Sequence, residues 1–395
     1  MIKAVLFSPD GALLRCDERA LANEYLRLTA AHLDELWDAP RAARLLADAL
    51  RALAAPRDAQ TANGDLLAET LAAAAGRTPQ DVHAALDACC AARFAALRDS
   101  VRPAVAAAEA IALAQQQGLA VVIAANPLYP AAVVRQRLAW AGLPDSADDY
   151  ALITGSDSAH FVKPDPAYYA EIVARIGVEP DEAIMVGSSL ADDVRPAAAA
   201  RLRTYHVGAG AQDSAADGAG PLAAFVTHLK GATWLDTLPP RALRPEAVEP
   251  QLWGNIGALF GMLADVQPAH WEQRPDPNEW SILQIVCHLL ESEIHVQRPR
   301  LERILAEDNP FLVNPPPPGL HAPPCDRDGH HAARRFAARR RETIALLRAL
   351  PAAAWGRPAR HSVFGLTTLL EMALFTAQHD RLHLNQLCQT LGRCE

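Results

Sequence analysis

Residues 5–14 read VLFSPDGALL. Apolar residues run without alternation into Ser8-Pro9-Asp10-Gly11, so a buried strand ends in a turn that carries a hydroxyl and a carboxylate. Apolar runs of the same kind occupy residues 2–7, 119–124, 151–154, 183–187 and 204–207. Each is short and continuous, and helix-patterned sequence separates one from the next. That is the pattern of strands buried on both faces of a parallel sheet. The opening stretch therefore reads as the first strand of an α/β arrangement.

The chain has 395 residues, more than the ~250 at which single cores stop growing, so two or three domains are expected. Half of the residues are apolar, enough for buried cores. A net charge of -9 leaves no basic field to collect nucleic acid, and the expected partner is a small molecule or a protein. The start MIKAVLF lacks a signal-peptide pattern, and the apolar run 104–125 is interrupted by Glu109 and three glutamines. No membrane segment is expected, and the expected location is cytoplasmic. Seven cysteines, an odd number without CxxC spacing, argue against a disulfide framework or a four-cysteine zinc ribbon. Cys89, Cys90 and Cys287 sit in helical apolar sequence and read as core packing.

Residues 19–100 are rich in Ala, Leu and Arg with apolar spacings of three and four, which predicts a helical insertion between the first two strands. Thr78-Pro79-Gln80-Asp81 supplies an N-cap, a proline in the first turn and an acid behind it. Residues 208–220, GAGAQDSAADGAG, read as a flexible loop before a weak helix at 221–230. The Pro-rich stretch 236–250 reads as a connector, placing a linker at 231–246. Beyond it no strand pattern is seen. Four helices are expected at 247–265, 281–306, 329–349 and 366–391, a four-helix bundle over 247–395. Ser281-Ile282-Leu283-Gln284 is a capping box opening the second helix, and Pro299 is a kink point within it. The connection 308–328, with Pro315 to Pro318, reads as an extended arm.

Four short motifs in order make residues 1–230 resemble the haloacid dehalogenase-like (HAD) family: Ser8-Pro9-Asp10-Gly11, Ala124-Ala125-Asn126-Pro127, Val162-Lys163-Pro164-Asp165-Pro166, and Val186-Gly187-Ser188 through Asp192-Asp193. The resemblance implies a Rossmann-like core with a helical cap at 19–100. Phosphatase chemistry in that family needs an Asp nucleophile, Mg2+ held by that Asp and by a motif-four Asp, and a hydroxyl plus Lys on the phosphoryl oxygens. Here Ser8, Ser188 and Ala125 stand at three of those places, so Mg2+ would lose its anionic anchors and phosphatase activity is expected to be absent. Asp10, Asn126, Lys163 and Asp193 keep the family's residue types. Lys163 is one of three lysines in the chain. It reads either as a structural ion-pair partner of Asp193 or as the anchor of a bound phosphate.

On the last helix His379 and His383 are four apart, on one face, a usable pair of metal ligands. His288 follows the second capping box among apolar neighbours, where a histidine is ordinarily a satisfied core residue. The Trp280-Ser281 helix start leading to His288, Asp308-Asn309-Pro310-Phe311, Phe336 with Arg339 to Arg341, Phe364-Gly365 and the terminal His-x-x-x-His together resemble the DinB-like metalloprotein family. That resemblance implies metal binding by His288, His379 and His383, a relation to thiol transferases, and pairing of bundles into a homodimer. Three imidazole nitrogens suit Zn2+, Ni2+ or Fe2+ and leave coordination positions for water or substrate. Glu291, one turn after His288, is a candidate base, and His295 a candidate extension of the site. His361 and the arm with His321, Cys325, His330 and His331 are candidates to cover its open face.

The expected architecture is thus α/β plus all-α. The expected function is a metal-dependent enzyme acting on a small molecule, a thiol-dependent transferase, isomerase or hydrolase, beside a HAD-like domain without its chemistry. The rival readings are a phosphate-ligand sensor working through Lys163 and a surviving HAD hydrolase dependent on Asp10.

Overall fold

The structure, a computed structural model, describes the chain except residues 17, 38–40, 56–57, 209–213, 232, 317–318, 320–324 and 395. Two compact units are present: Met1–Arg57 with Thr61–Tyr169 and Pro180–Arg241, and Asp58–Gln60 with Ala170–Glu179 and Ala242–Glu395.

In chain order the first unit starts with β1 (Ala4–Phe7) and β2 (Leu14–Arg15). Four helices follow, α1 (Glu18–Trp37), α2 (Ala42–Leu53), α3 (Asn63–Ala75) and α4 (Pro79–Arg93). The chain then runs through β3 (Arg102–Pro103), α5 (Ala107–Gln116), β4 (Ala120–Ile123), α6 (Ala131–Trp140), β5 (Leu152–Ile153), α7 (Pro166–Arg175), β6 (Ala183–Gly187), α8 (Arg195–Ala199), β7 (Arg203–Val207), β8 (Gly218–Gly220), α9 (Leu222–Gly231) and α10 (Thr233–Thr237). Six strands form one parallel sheet in the order β5-β4-β1-β6-β7-β8. Ala4, Val5, Leu6 and Phe7 are all fully buried at its centre, which is why β1 carries no polar alternation. Helices α1 to α4 form the insertion, and Thr78 caps α4 in a reciprocal box with Asp81.

The sheet has one more strand than the sequence pattern predicts. β8 is built from Gly218-Ala219-Gly220, part of the stretch read above as loop; residues 209–213 of that stretch lie outside the described residues. Small residues carry no strand propensity, but a Cβ on Gly218 would lie 2.7 Å from Trp234 and 3.0 Å from Tyr205. Close packing demands the glycine, and pairing with β7 makes the strand.

The second unit takes in the end of α7 from Ala170 and is otherwise a helical bundle: α11 (Val248–Leu263), α12 (Ile282–Ser292), α13 (Arg298–Ala306), α14 (Gly329–Arg348) and α15 (Leu369–Cys394). α11 and α12 each pack on α14 and α15. The expected single helix over 281–306 is divided by a π-turn at Glu293–Gln297, and Pro299 lies in the first turn of α13. Proline donates no N–H and its ring crowds the carbonyl four residues back, and the wider π register accommodates both.

Two further corrections concern this half. It is not purely helical, since β9 (Phe311–Leu312), β10 (Pro358–His361) and β11 (Gly365–Thr368) form a three-stranded sheet in the order β11-β10-β9. Strands of two to four residues leave too little sequence for a period to register. Cys287 is not plain core packing: its sulfur forms a disulfide with Cys325, with Cα atoms 5.4 Å apart. The bridge ties α12 to the arm across 38 residues, a tertiary pairing that no local spacing announces. Among the described residues no helix is long and apolar enough to cross a membrane.

Candidate functional site

The capping box is present at Ser281, whose hydroxyl accepts from Gln284 N while the Gln284 side chain accepts from Ser281 N. From that start α12 carries His288 inward, and α15 presents His379 and His383 one turn apart. One ring nitrogen from each of the three histidines lies within 4.8 Å of the other two. Their ring centroids are 4.4 Å (His288 to His383), 4.7 Å (His379 to His383) and 5.4 Å (His288 to His379) apart. Trp280 stacks on His383 at 5.8 Å and lies 4.9 Å from His288, walling one side of the cluster.

Burial and neighbouring charge act on two of these rings. Burial, and then the neighbouring imidazoles, push His288 down to about 3, and burial with His379 beside it pushes His383 to about 4. His383 Nδ1 pairs with Gln386 Oε1 at 3.1 Å; the amide oxygen accepts, so the proton sits on Nδ1 and the Nε2 lone pair is available. His379 Nδ1 lies 3.8 Å from Asp380 Oδ1, a carboxylate that biases the proton to the same nitrogen.

Asp380 belongs to a buried charged network. Arg340 of α14 donates to Asp380 Oδ1 at 2.7 Å, and its Nη1 lies 2.7 Å from Glu293 Oε2, off the hydrogen-bond axis. All three side chains are at most 2% exposed. Asn255 of α11 donates to Asp380 Oδ2 at 3.4 Å, and Thr343 donates to Glu293. Burial raises Glu293, partly offset by Arg340; burial would also raise Asp380, but Arg340 and His379 hold it below the usual carboxylate range. The donor set of the histidine cluster, three close imidazoles with no carboxylate or thiolate among them, fits a divalent transition metal.

Because folding depresses His288 and His383 well below the ordinary histidine value, the unfolded chain takes up protons that the metal-free folded protein excludes. Stability from these groups is complete above about pH 6.5 and lost as pH falls toward 4. The metal-free protein is expected to lose on the order of 1–2 kcal/mol per pH unit across that window. Denaturant midpoints measured at pH 7, 6, 5 and 4 check this, and His383→Gln should flatten the slope.

The other candidates lie elsewhere. Glu291 is paired with His295 Nε2 at 3.2 Å, both side chains exposed to solvent, and neither belongs to the imidazole group. His331 pairs with Asp326 at 2.7 Å, and His330 packs on Trp271 at 4.9 Å. His361, expected on the open face, is 2% exposed on β10. His321 lies outside the described residues.

In the first unit Ser8, Asn126 and Ser188 follow β1, β4 and β6, three adjacent strands whose carboxyl ends form the crevice where ligands bind in open α/β sheets. Gly11 (φ 75°) closes the turn, and a Cβ there would collide with Ser188 Oγ, which donates to Asp10 O at 3.1 Å. Lys163 Nζ donates to Asp193 Oδ1 at 2.6 Å and to Ser8 Oγ at 3.2 Å, so the pocket's lysine is already paired. Its backbone N–H donates to Asn126 Oδ1 at 3.3 Å. Ala125 offers no side-chain hydroxyl, and its carbonyl accepts from Thr154 Oγ1 and Tyr168 Oη. Asp10 is clamped by Arg137 of α6, 2% exposed, and accepts from Cys16 Sγ at 3.2 Å. Burial alone would raise the Asp10 carboxyl, but the guanidinium holds it below its ordinary range; burial and then Asp10 push the Cys16 thiol up to about 12.

Sequence reasoning missed Arg137 and Glu293, and it quoted Trp280 and Arg340 only as part of a resemblance, with no role at the site. A signal existed for the arginines. Val133, Val134, Arg137 and Leu138 fall on one helical stripe, as do Phe336, Arg340 and Ile344, and all seven are buried.

Comparison with known proteins accords with both halves. Residues 2–201 match the family model of haloacid dehalogenase-like hydrolases, and residues 252–387 match that of the DinB superfamily. Among solved structures, a HAD phosphatase from Thermococcus onnurineus is 21% identical, covering 58% of this chain and 99% of its own (TM-score 0.38). A 2-haloacid dehalogenase from Pseudomonas syringae is 19% identical, covering 59% and 99% (TM-score 0.41). YfiT from Bacillus subtilis, described as a probable metal-dependent hydrolase with an unusual four-helix bundle topology, is 18% identical, covering 39% and 93% (TM-score 0.32). No curated protein sequence matches the chain.

Proposed function

We propose, from the premise that this chain belongs to the haloacid dehalogenase-like hydrolase family through residues 2–201 and carries a DinB superfamily domain at 252–387, that its reacting centre lies in the second domain. His288, His379 and His383 hold a divalent transition metal, and the protein acts there on a small molecule as a thiol-dependent transferase, isomerase or hydrolase. The observation that carries this reading is the convergence of three imidazoles, one nitrogen of each within 4.8 Å of the others, from two helices. A metal held so would act as a Lewis acid, polarising substrate or lowering the pKa of a bound thiol or water. The chain's own residues prepare the site. Gln386 fixes the His383 tautomer, Asp380 orients His379, Arg340 anchors Asp380, and Trp280 keeps water from one side of the rings.

The first domain, in this reading, has kept its scaffold without its phosphoryl chemistry. Ser8 and Ser188 supply no carboxylate for a nucleophile or for Mg2+. Asp10 is tied to Arg137, and the pairing of Lys163 with Asp193 favours a structural lysine over a phosphate anchor.

The test of the thiol assignment is a titration of cobalt-substituted protein with small thiols. A saturable thiolate-to-cobalt charge-transfer band is the expected result. No band with any thiol, in protein that binds cobalt stoichiometrically, would remove the thiol from the proposal.

A further inference from the structure

Apart from the histidine cluster, the bundle buries a guanidinium that meets no carboxylate among the described residues. Arg300 of α13 is 6% exposed. Its Nη2 donates to Val313 O at 3.1 Å and to Asn314 Oδ1 at 3.0 Å, and among the described residues its Nε and Nη1 have no partner. A largely buried cation whose only protein partners are neutral acceptors, with its other nitrogens open to solvent, is favourably placed to receive an anion.

His361 stands beside this cation. Its Nδ1 accepts from the backbone N–H of Val363 at 3.2 Å and of Phe364 at 3.4 Å, so the ring proton is on Nε2. That N–H is buried and has no partner among the described residues, on a side chain whose residue is 2% exposed. One short segment brings the two groups together. His361 pairs with Leu312 in the β9–β10 ladder, Ser362 N donates to Leu312 O at 2.9 Å, and Asn314 N donates to Ser362 Oγ at 2.9 Å. Val313 and Asn314, in the same segment, are the residues Arg300 reaches. The charge is felt across the gap: burial, and then Arg300, lower the His361 pKa.

A band of aromatic surface connects this pair to the metal-ligand cluster. The His361 ring stacks on Phe364 at 4.5 Å, Phe364 meets Phe375 at 4.7 Å, and Phe375 sits one helical turn before His379 on α15. Phe375, His379 and His383 are all half-buried, and Phe364 is 49% exposed, so a solvent-reachable apolar surface runs between the two.

We propose that Arg300 and His361 form an anion subsite of the three-histidine centre, and that the substrate is a small carboxylate whose apolar body lies along Phe364 and Phe375. The inference rests on the reading of that centre as the reactive site. One guanidinium with a neutral imidazole N–H suits a singly charged carboxylate; a phosphate dianion would call for more donors.

The experiment is calorimetric titration of the full chain, zinc-loaded and zinc-free, with phenylacetate and with its neutral match phenylacetamide. Saturable binding of phenylacetate is expected, at least tenfold tighter than the amide. Arg300→Gln and His361→Asn should each abolish that preference while zinc content stays unchanged. Asparagine preserves an acceptor near Nδ1 and removes the Nε2 donor, so it carries the test if Arg300→Gln does not fold. Equal binding of the two probes, or a preference that survives both substitutions, overturns the subsite. Phenylacetate binding lost in Arg300→Gln, in a protein that takes up no zinc, would uphold the subsite and overturn the metal reading instead.

Discussion

Arg340→Met is expected to destabilise the bundle by about 3–5 kcal/mol, the cost of removing one partner from a buried ion pair. Methionine fills much of the volume, so the loss is electrostatic. Glu293 and Asp380, 0% and 2% exposed, would be left facing each other without the cation that sits between them. Both carboxyls would then rise in pKa, and one would hold a proton at neutral pH. Urea unfolding of wild type and variant measures the effect. Adding Glu293→Gln to Arg340→Met should recover part of the loss, because an amide needs no counter-charge. A single-variant loss below about 1 kcal/mol would mean that the triad is not a unit.

Asp380→Asn carries the second large effect, on metal affinity, beside the stability lost when buried Arg340 gives up one of its two carboxylate partners. The carboxylate lies 3.8 Å from His379 Nδ1 and biases the proton toward that nitrogen, which favours Nε2 as the metal ligand. Asparagine is isosteric but neutral and can present either an N–H or an oxygen, so the tautomer is no longer enforced. Metal affinity is expected to fall about 10–100-fold, the range for lost outer partners of metal-bound histidines. Competition with a chromophoric chelator reads this directly. Affinity within a factor of two of wild type would show that His379 is oriented by packing alone.

Much of the fold is legible where local chemistry decides it. β1 and β6 are buried on both faces and leave uninterrupted apolar runs. The capping boxes at Thr78 and Ser281 announce α4 and α12 within four residues. α14 ends at Arg348, one residue from its expected limit. Features made by pairing are not legible. β8 consists of small residues that become a strand only beside β7, and β9 holds two residues that gain strand character only from β10. The Cys287–Cys325 bridge and the Arg137–Asp10 clamp join residues 38 and 127 positions apart, beyond the reach of any periodic pattern.

The candidate site divides in the same way. His379 and His383 stand out by their spacing on one helix, whereas His288, alone among apolar neighbours, needs the family resemblance to be singled out. The carboxylates show how far sequence proximity misleads. Glu291 is one turn from His288 yet pairs outward with His295, while Glu293, two residues on, turns inward through the π-turn to Arg340. A register change inside a helix redirects side chains that a 3.6-residue period would place elsewhere.

The measurement that bears most directly on the central claim is metal content by inductively coupled plasma mass spectrometry. It compares protein purified without a histidine tag with the His379→Ala, His383→Ala double variant. About one equivalent of Zn, Ni or Fe per chain, lost in the double variant, is the expected result. Metal absent from both proteins after reconstitution, or retained in full by the double variant, would contradict a reacting centre at His288, His379 and His383.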